Sequence, residues 1–169
     1  MAALTERVEV VDDDDNVIAV VSRARMRAEN LRHRAVSIAV LSSDRRLLVH
    51  RRADTKDVWP GMWDLAAGGV VGVGESYRHA AERELAEELG IVAEGWEHLG
   101  EARFEDDSVS LIGHGFTVIH DGPFRFTDGE IAEVRWVTRG ELDELLTVER
   151  FVPDNLALLL PLLRRECTQ

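Results

Sequence analysis

The chain has one cysteine, Cys167, so an internal disulfide is excluded, and the thiol suits a reducing cytoplasm. No apolar run is long enough to span a bilayer. The first fifteen residues are acidic and lack the apolar core of a secretory signal. A soluble, cytoplasmic protein with no membrane partner is therefore expected. Positive charge is also scarce. Twenty Lys and Arg against 32 Asp and Glu leave a net charge of −12, which argues against general nucleic-acid binding. An anionic substrate would have to be met by metal ions and local cations, not by the overall field. No Ser/His/Asp or Cys/His nucleophile set stands out, and no repeat or low-complexity linker divides the 169 residues. One α/β domain over residues 1–169 is the expectation.

What the chain does have is concentrated between Gly69 and Ile91, a glycine-rich turn running into a glutamate-rich helix. Ser76 is placed to cap that helix, and Gly90 offers a left-handed stop after Leu89. Ala81, Leu85 and Leu89 form an inward stripe at helical spacing. Glu84, Glu87 and Glu88 fall on one narrow adjoining face. Like charges so spaced cost a helix about 0.2–0.5 kcal/mol per pair. A hard dication such as Mg²⁺ would turn that repulsion into coordination. The plainer alternative is a solvated acidic face.

Gly69, Glu75 and the run Arg-Glu-Leu-Ala-Glu-Glu-Leu-Gly-Ile over residues 83–91 match the Nudix box at every fixed position, so the chain resembles the Nudix hydrolases. The resemblance implies an α/β/α sandwich with a mixed sheet, and hydrolysis of the pyrophosphate linkage in a nucleoside diphosphate derivative or similar small molecule. It implies Mg²⁺, with Mn²⁺ as the alternative, held by Glu84, Glu87, Glu88 and the backbone at Gly69. Arg83 would orient a catalytic glutamate, and Glu75 and Gly90 would hold the box in shape. Phosphoryl transfer depends on positioning and charge neutralisation, and bound metal ions supply both. Glu87 is the first choice of general base; Glu130 and Glu133, outside the box, are the alternatives.

Along the rest of the chain, Val8–Val11 and Val17–Val21 read as a hairpin around an acidic turn at 12–16, the start of a lead-in that runs to residue 34. Arg23 to Arg34 is basic and partly helical. Ala35–Leu41 and Leu47–Arg51 suggest a second hairpin. Leu65–Val73 reads as a strand and glycine loop. Val92–Phe104, Val109–His120 and Val134–Val137 read as strands, and Arg139–Leu146 as a helix. A helix over 153–165 opens on Pro153, with Pro161 expected to kink it. Its leucine face would cover the sheet or a second subunit, so a homodimer is entertained. Arg52 and Lys56 are candidate phosphate contacts, and Trp59 is a candidate wall of the substrate pocket. A basic strand end and a packed loop are the alternatives. His33, His114 and His120 read as structural histidines.

His33–Ser37, Arg51, Arg52, Lys56 and Trp59–Trp63 are also similar to the isopentenyl-diphosphate isomerases, in which Arg52 and Lys56 would match diphosphate contacts and His33 a metal ligand. The isomerases' catalytic cysteine falls at Gly68 and a metal-binding histidine at Val70, so the isomerase reading lacks its acid and its metal site. A non-catalytic sensor on the same fold is the third reading, against which stands the intact box.

Overall fold

The computed structural model describes residues 6–166, so Cys167 lies outside the described residues. The chain opens on an antiparallel hairpin, β1 (Arg7–Val11) and β2 (Val17–Ser22), in register Val8↔Val21 and Val10↔Ala19. Its acidic turn is local chemistry. The Asp12 carboxylate accepts the backbone N–H groups of Asp14 and Asn16, each at 2.9 Å. Ser22 then caps α1 (Arg23–Ala28), whose Met26 is buried against Val8, Val10 and Val21.

β3 (His33–Leu41) is the central strand. It runs parallel to β8 (Ser110–Ile119) along its whole length, and β7 (Glu97–Glu105) borders β8. On its other side β3 meets β1 at His33, β6 (Ala67–Val70) from Ala35 to Ile38, and β4 (Leu47–Arg52) at Leu41. The hairpin expected between β3 and β4 is therefore only one pair long, Leu41↔Leu47. β6 occupies the middle of the edge that a hairpin would need. β4 instead pairs with β9 (Ile131–Val137) and with β5 (Trp63–Asp64).

Side chains alternate across β3 and so feed two cores. Val36, Ile38 and Val40 pack beneath α2 (Tyr77–Leu89) with Ala81, Leu85 and Phe116. Ala39 joins Val49, Trp63 and Leu65 beneath α3 (Arg139–Val148), α4 (Pro153–Leu158) and α5 (Leu160–Glu166). The result is the α/β/α sandwich with a mixed sheet. The C-terminal helix is two helices, not one kinked helix, with the break at Leu159. Pro161 has no N–H to donate backwards, and its ring excludes the carbonyl of Ala157.

Candidate active site

The box helix forms as its sequence dictates. Ser76 Oγ accepts the His79 N–H at 3.1 Å, and Gly90 ends α2 at φ 66°. Ala81 and Leu85 are wholly buried, which fixes the rotation of the helix about its axis. That rotation turns Glu84 and Glu88, four apart, towards the β6 backbone. Glu88 is 4% exposed and accepts the Gly68 N–H at 3.2 Å. The Glu84 side chain is 13% exposed, and the Glu87 side chain 55%.

The three box glutamates therefore do not share one environment, contrary to the expectation of a single narrow face. Glu87 points outward and accepts from Arg83 at 3.3 Å. Among the described residues, no three acidic, histidine or cysteine side chains converge tightly enough to hold a metal ion together. The grouping is two and one.

Arg83 is the hub. Its Nε and Nη2 donate to the two oxygens of Glu75, each at 2.9 Å, and its Nη1 donates to Glu84 at 2.6 Å. Nη2 also reaches the Val70 carbonyl at 3.1 Å. Glu75 in turn accepts the Gly72 N–H at 2.8 Å, so one guanidinium ties the glycine turn to the helix. The hydrogen bonds from Arg83 hold the Glu75 carboxyl below the ordinary glutamate range.

Two glycines of β6 make room for this. A Cβ on Gly69 would lie 2.5 Å from the Glu84 carboxylate. A Cβ on Gly68 would lie 2.0 Å from the Val36 carbonyl oxygen, so position 68, where the isomerases carry their cysteine, cannot hold a side chain on this backbone. Burial raises the Glu84 carboxyl above its usual range, with Arg83 pulling the other way. Burial raises Glu88 well above its usual range, and the neighbouring Glu84 adds to the shift. Lys56 opposes that shift and Glu130 reinforces it, so Glu130 is close enough to be felt.

A polar cleft of about 90 Å³ opens beside Glu88. Gly69, Glu88, Arg52, Lys56 and Trp59 all line it, so the candidate substrate contacts and the box do meet. Each also has a structural partner. Arg52 spends Nε and Nη2 on the Val58 carbonyl, at 3.2 and 2.9 Å, and clamps the 53–62 loop. Lys56 is paired with Glu130. Trp59 sits at φ 48° with its ring edge-on to Phe104, and its apolar neighbours include Val109, Leu111 and Leu158. It is both packed loop and cleft wall.

Glu133 is ion-paired on β9, 2.8 Å from Arg135 and 3.7 Å from Arg51. His33 is buried with Nδ1 3.1 Å from the Leu31 carbonyl oxygen, and burial pushes its pKa down to about 4. His114 stacks on Tyr77, and His120 Nδ1 accepts the Gly122 N–H.

Several residues of the cleft were not singled out from sequence. Arg23 and Arg27 of α1 reach it, together with Asp57, Asp64 and Asp154. Asn155 donates to Asp64 at 2.6 Å and accepts from Ser37 at 2.6 Å, tying α4 to the sheet beneath the cleft. Burial, with Asp64 beside it, raises Asp154 to about 7. Only the i, i+4 spacing of Arg23 and Arg27 was a usable signal, and it does not say what the pair faces. A larger hollow of about 740 Å³, lined by residues such as Leu41, Val137, Leu142 and Leu163, lies under α3 and α5. That is the face of the sheet opposite the box helix.

A family model described as NUDIX domain matches residues 31–158. An uncharacterized Nudix hydrolase of Escherichia coli K12, YfcD, is 42% identical over 154 residues, which is 91% of this chain and 84% of that protein. The crystal structure of DR0079 from Deinococcus radiodurans is 27% identical, with a TM-score of 0.77 over 95% of this chain and 98% of that one. The NUDIX domain of Shewanella oneidensis NrtR, complexed with ADP ribose, is 18% identical and covers 88% of this chain and 100% of its own. Its TM-score of 0.64 is a likeness of fold alone.

Proposed function

The chain belongs to the Nudix hydrolase family, and from that premise we propose that it is a metal-dependent pyrophosphohydrolase that cleaves the diphosphate linkage of a nucleoside diphosphate derivative or a similar small molecule. The observation that carries the reading is the pair Glu84 and Glu88, two carboxylates withdrawn from water side by side against the glycine backbone of β6. Each is made harder to ionise by burial, and Glu88 further by the charge of Glu84. Such a pair is costly unless a cation joins it. Oxygen donors of this kind suit a hard dication, Mg²⁺ or Mn²⁺. The absence of a Cβ at Gly69 is what admits the Glu84 carboxylate, so the cradle fits the ion.

Glu84 and Glu88 would hold the metal, with Glu87 joining them by rotating off Arg83 and the backbone at Gly69 completing the set. When bound, the ion neutralises phosphate charge and acidifies a coordinated water. The chain's own groups do the rest. Arg83 fixes the Glu84 carboxylate from behind while anchored on Glu75. Glu87 is the most exposed of the three and, once off Arg83, would stand beside the metal where it can take a proton from water, which keeps it the first choice of base. Glu130, which lies within electrostatic reach of Glu88 and is paired with Lys56, is the alternative.

The test is phosphate release from a panel of diphosphate compounds with and without Mg²⁺. Supporting residues around metals already cost about 10–100-fold when changed, so Glu88→Gln should lower turnover by more than about a hundredfold while the circular dichroism spectrum is retained. Turnover that ignores both the metal and the substitution would sink the proposal.

A further inference from the structure

The basic side of the cleft points beyond the hydrolase reading. Arg23 and Arg27 stand one helical turn apart on α1 and line the same cleft as Glu88 and Lys56. Arg27 Nε is buried without a hydrogen-bond partner, alone in this among the buried side-chain nitrogen and oxygen atoms of the described residues. Its nearest counter-charge is Asp57 Oδ2 at 3.4 Å; the same oxygen lies 3.9 Å from Arg23 Nη2, while Arg23 Nη1 donates to Glu6 at 3.0 Å. Asp57 is 48% exposed on the 53–62 loop, so the anion between the two arginines is one that water reaches.

The other acids of the cleft are already engaged. Asp64 accepts from Asn155 and from the Ala66 N–H, and Asp154 accepts the Asn155 N–H at 2.6 Å. Glu88 faces β6. A buried guanidinium nitrogen whose counter-charge stands off at 3.4 Å is poorly satisfied, and a charged acceptor at hydrogen-bond distance is what it matches best. The recess is also small. At about 90 Å³ it is far below the roughly 300–1,000 Å³ of a site that encloses a drug-sized ligand, so it suits a small polar group and not a whole ligand.

We propose that Arg23 and Arg27 form an anion subsite that receives the free phosphate end of a terminal diphosphate, with Asp57 as the internal anion it displaces. The inference deepens the hydrolase reading and rests on it. The substrate class is then an uncapped diphosphate monoester, whose far end is a bare phosphate, not a pyrophosphate esterified at both ends. Water's oxygen bonds to one phosphorus, and the bridging P–O bond breaks with its electron pair going to the departing oxygen. A phosphomonoester and inorganic phosphate leave, with one proton released to the base; nothing is oxidised or reduced.

The experiment is calorimetric titration of the full chain with inorganic pyrophosphate in metal-free buffer, followed by turnover of a nucleoside diphosphate and of a nucleotide sugar with Mg²⁺. Loss of one charge-assisted hydrogen bond corresponds to about a tenfold change, so Arg27→Gln should weaken pyrophosphate binding about tenfold. Asp57→Asn, with its competing charge removed, should tighten it. Turnover should favour the uncapped substrate, and Arg27→Gln should erode that preference. If Arg27→Gln does not fold, Arg23→Gln and Asp57→Asn carry the same test. Pyrophosphate affinity indifferent to these substitutions, or a preference for the capped substrate, overturns the subsite and leaves the hydrolase reading standing. Binding that responds as described, with no turnover of either substrate, supports the subsite and removes the hydrolase reading.

Discussion

The two walls of the cleft differ in how they are made. The acidic wall, α2 over β6, comes from one continuous stretch, residues 67–89. The basic wall joins α1 to a loop some thirty residues later, across intervening strands β3 and β4. The acidic wall is also tightly specified, since Arg83 binds Glu75, Glu84, Glu87 and the Val70 carbonyl together. The basic wall is more loosely specified: Arg23 is tied to Glu6 at 3.0 Å, but a half-exposed Asp57 stands 3.4 Å from Arg27 Nε, which has no hydrogen bond. On the proposed function, the carboxylates that would hold the metal stand on the first wall, and the proposed anion subsite stands on the second.

That contrast can be broken most forcefully at the paired glycines. Gly69→Ala drives a Cβ to within 2.5 Å of a movable carboxylate, so turnover should fall about 10–100-fold, as for disturbed metal surroundings, with a small change in melting temperature. Gly68→Ala drives a Cβ to 2.0 Å from backbone. Its cost should sit at the upper end of the about 1–3 kcal/mol for overpacking and show in denaturant unfolding. If the two variants behave alike, the separation of functional from structural glycine is wrong.

Glu75→Gln comes next. It removes the charge from the anchor of Arg83, and kcat should fall about tenfold, as for the loss of one charge-assisted bond, with little change in KM. A KM effect without a kcat effect would move Arg83 out of the reacting end of the site.

Asp154 gives a pH signature beneath the cleft. Its folded pKa, about 7, is above the ordinary value of 3.8. The folded state therefore binds the extra proton, and the contribution to stability is full below about pH 4 and lost as pH rises through 7. Asp154→Asn should flatten that decline in denaturant unfolding measured between pH 4 and 8. An unchanged slope would place the carboxyl in water.

The smallest effect belongs to the cap. Ser76→Ala removes the bond to the His79 N–H and should cost about 1 kcal/mol, read from the unfolding midpoint, with activity kept.

The sequence made the acidic wall legible because its signals are local. Ser76, Gly90 and the Ala81–Leu85–Leu89 stripe set the ends and the rotation of one helix, and the pairing of Glu75 with Arg83 follows from their positions across the turn. Local signals failed where distant strands intrude. The β3–β4 hairpin was expected from a turn at 42–44, but β6 fills the middle of the β3 edge. Similarly, i, i+3, i+4 spacing put Glu84, Glu87 and Glu88 on one face, and a difference of about 100° per residue was enough to send Glu87 to solvent. Arg52 reads as a candidate phosphate contact; its added hold on the Val58 carbonyl is to a backbone group that side-chain patterns do not announce. Arg23 and Arg27 were visible as basic charge, but the counter-charge they face was not.

The most direct test of the central claim, that Glu84 and Glu88 together hold a divalent ion, is titration of Mn²⁺ into the chain followed by its electron paramagnetic resonance signal. Mn²⁺ should bind to the wild-type chain and lose that binding in both Glu84→Gln and Glu88→Gln. Equal binding by wild type and the double variant would contradict it.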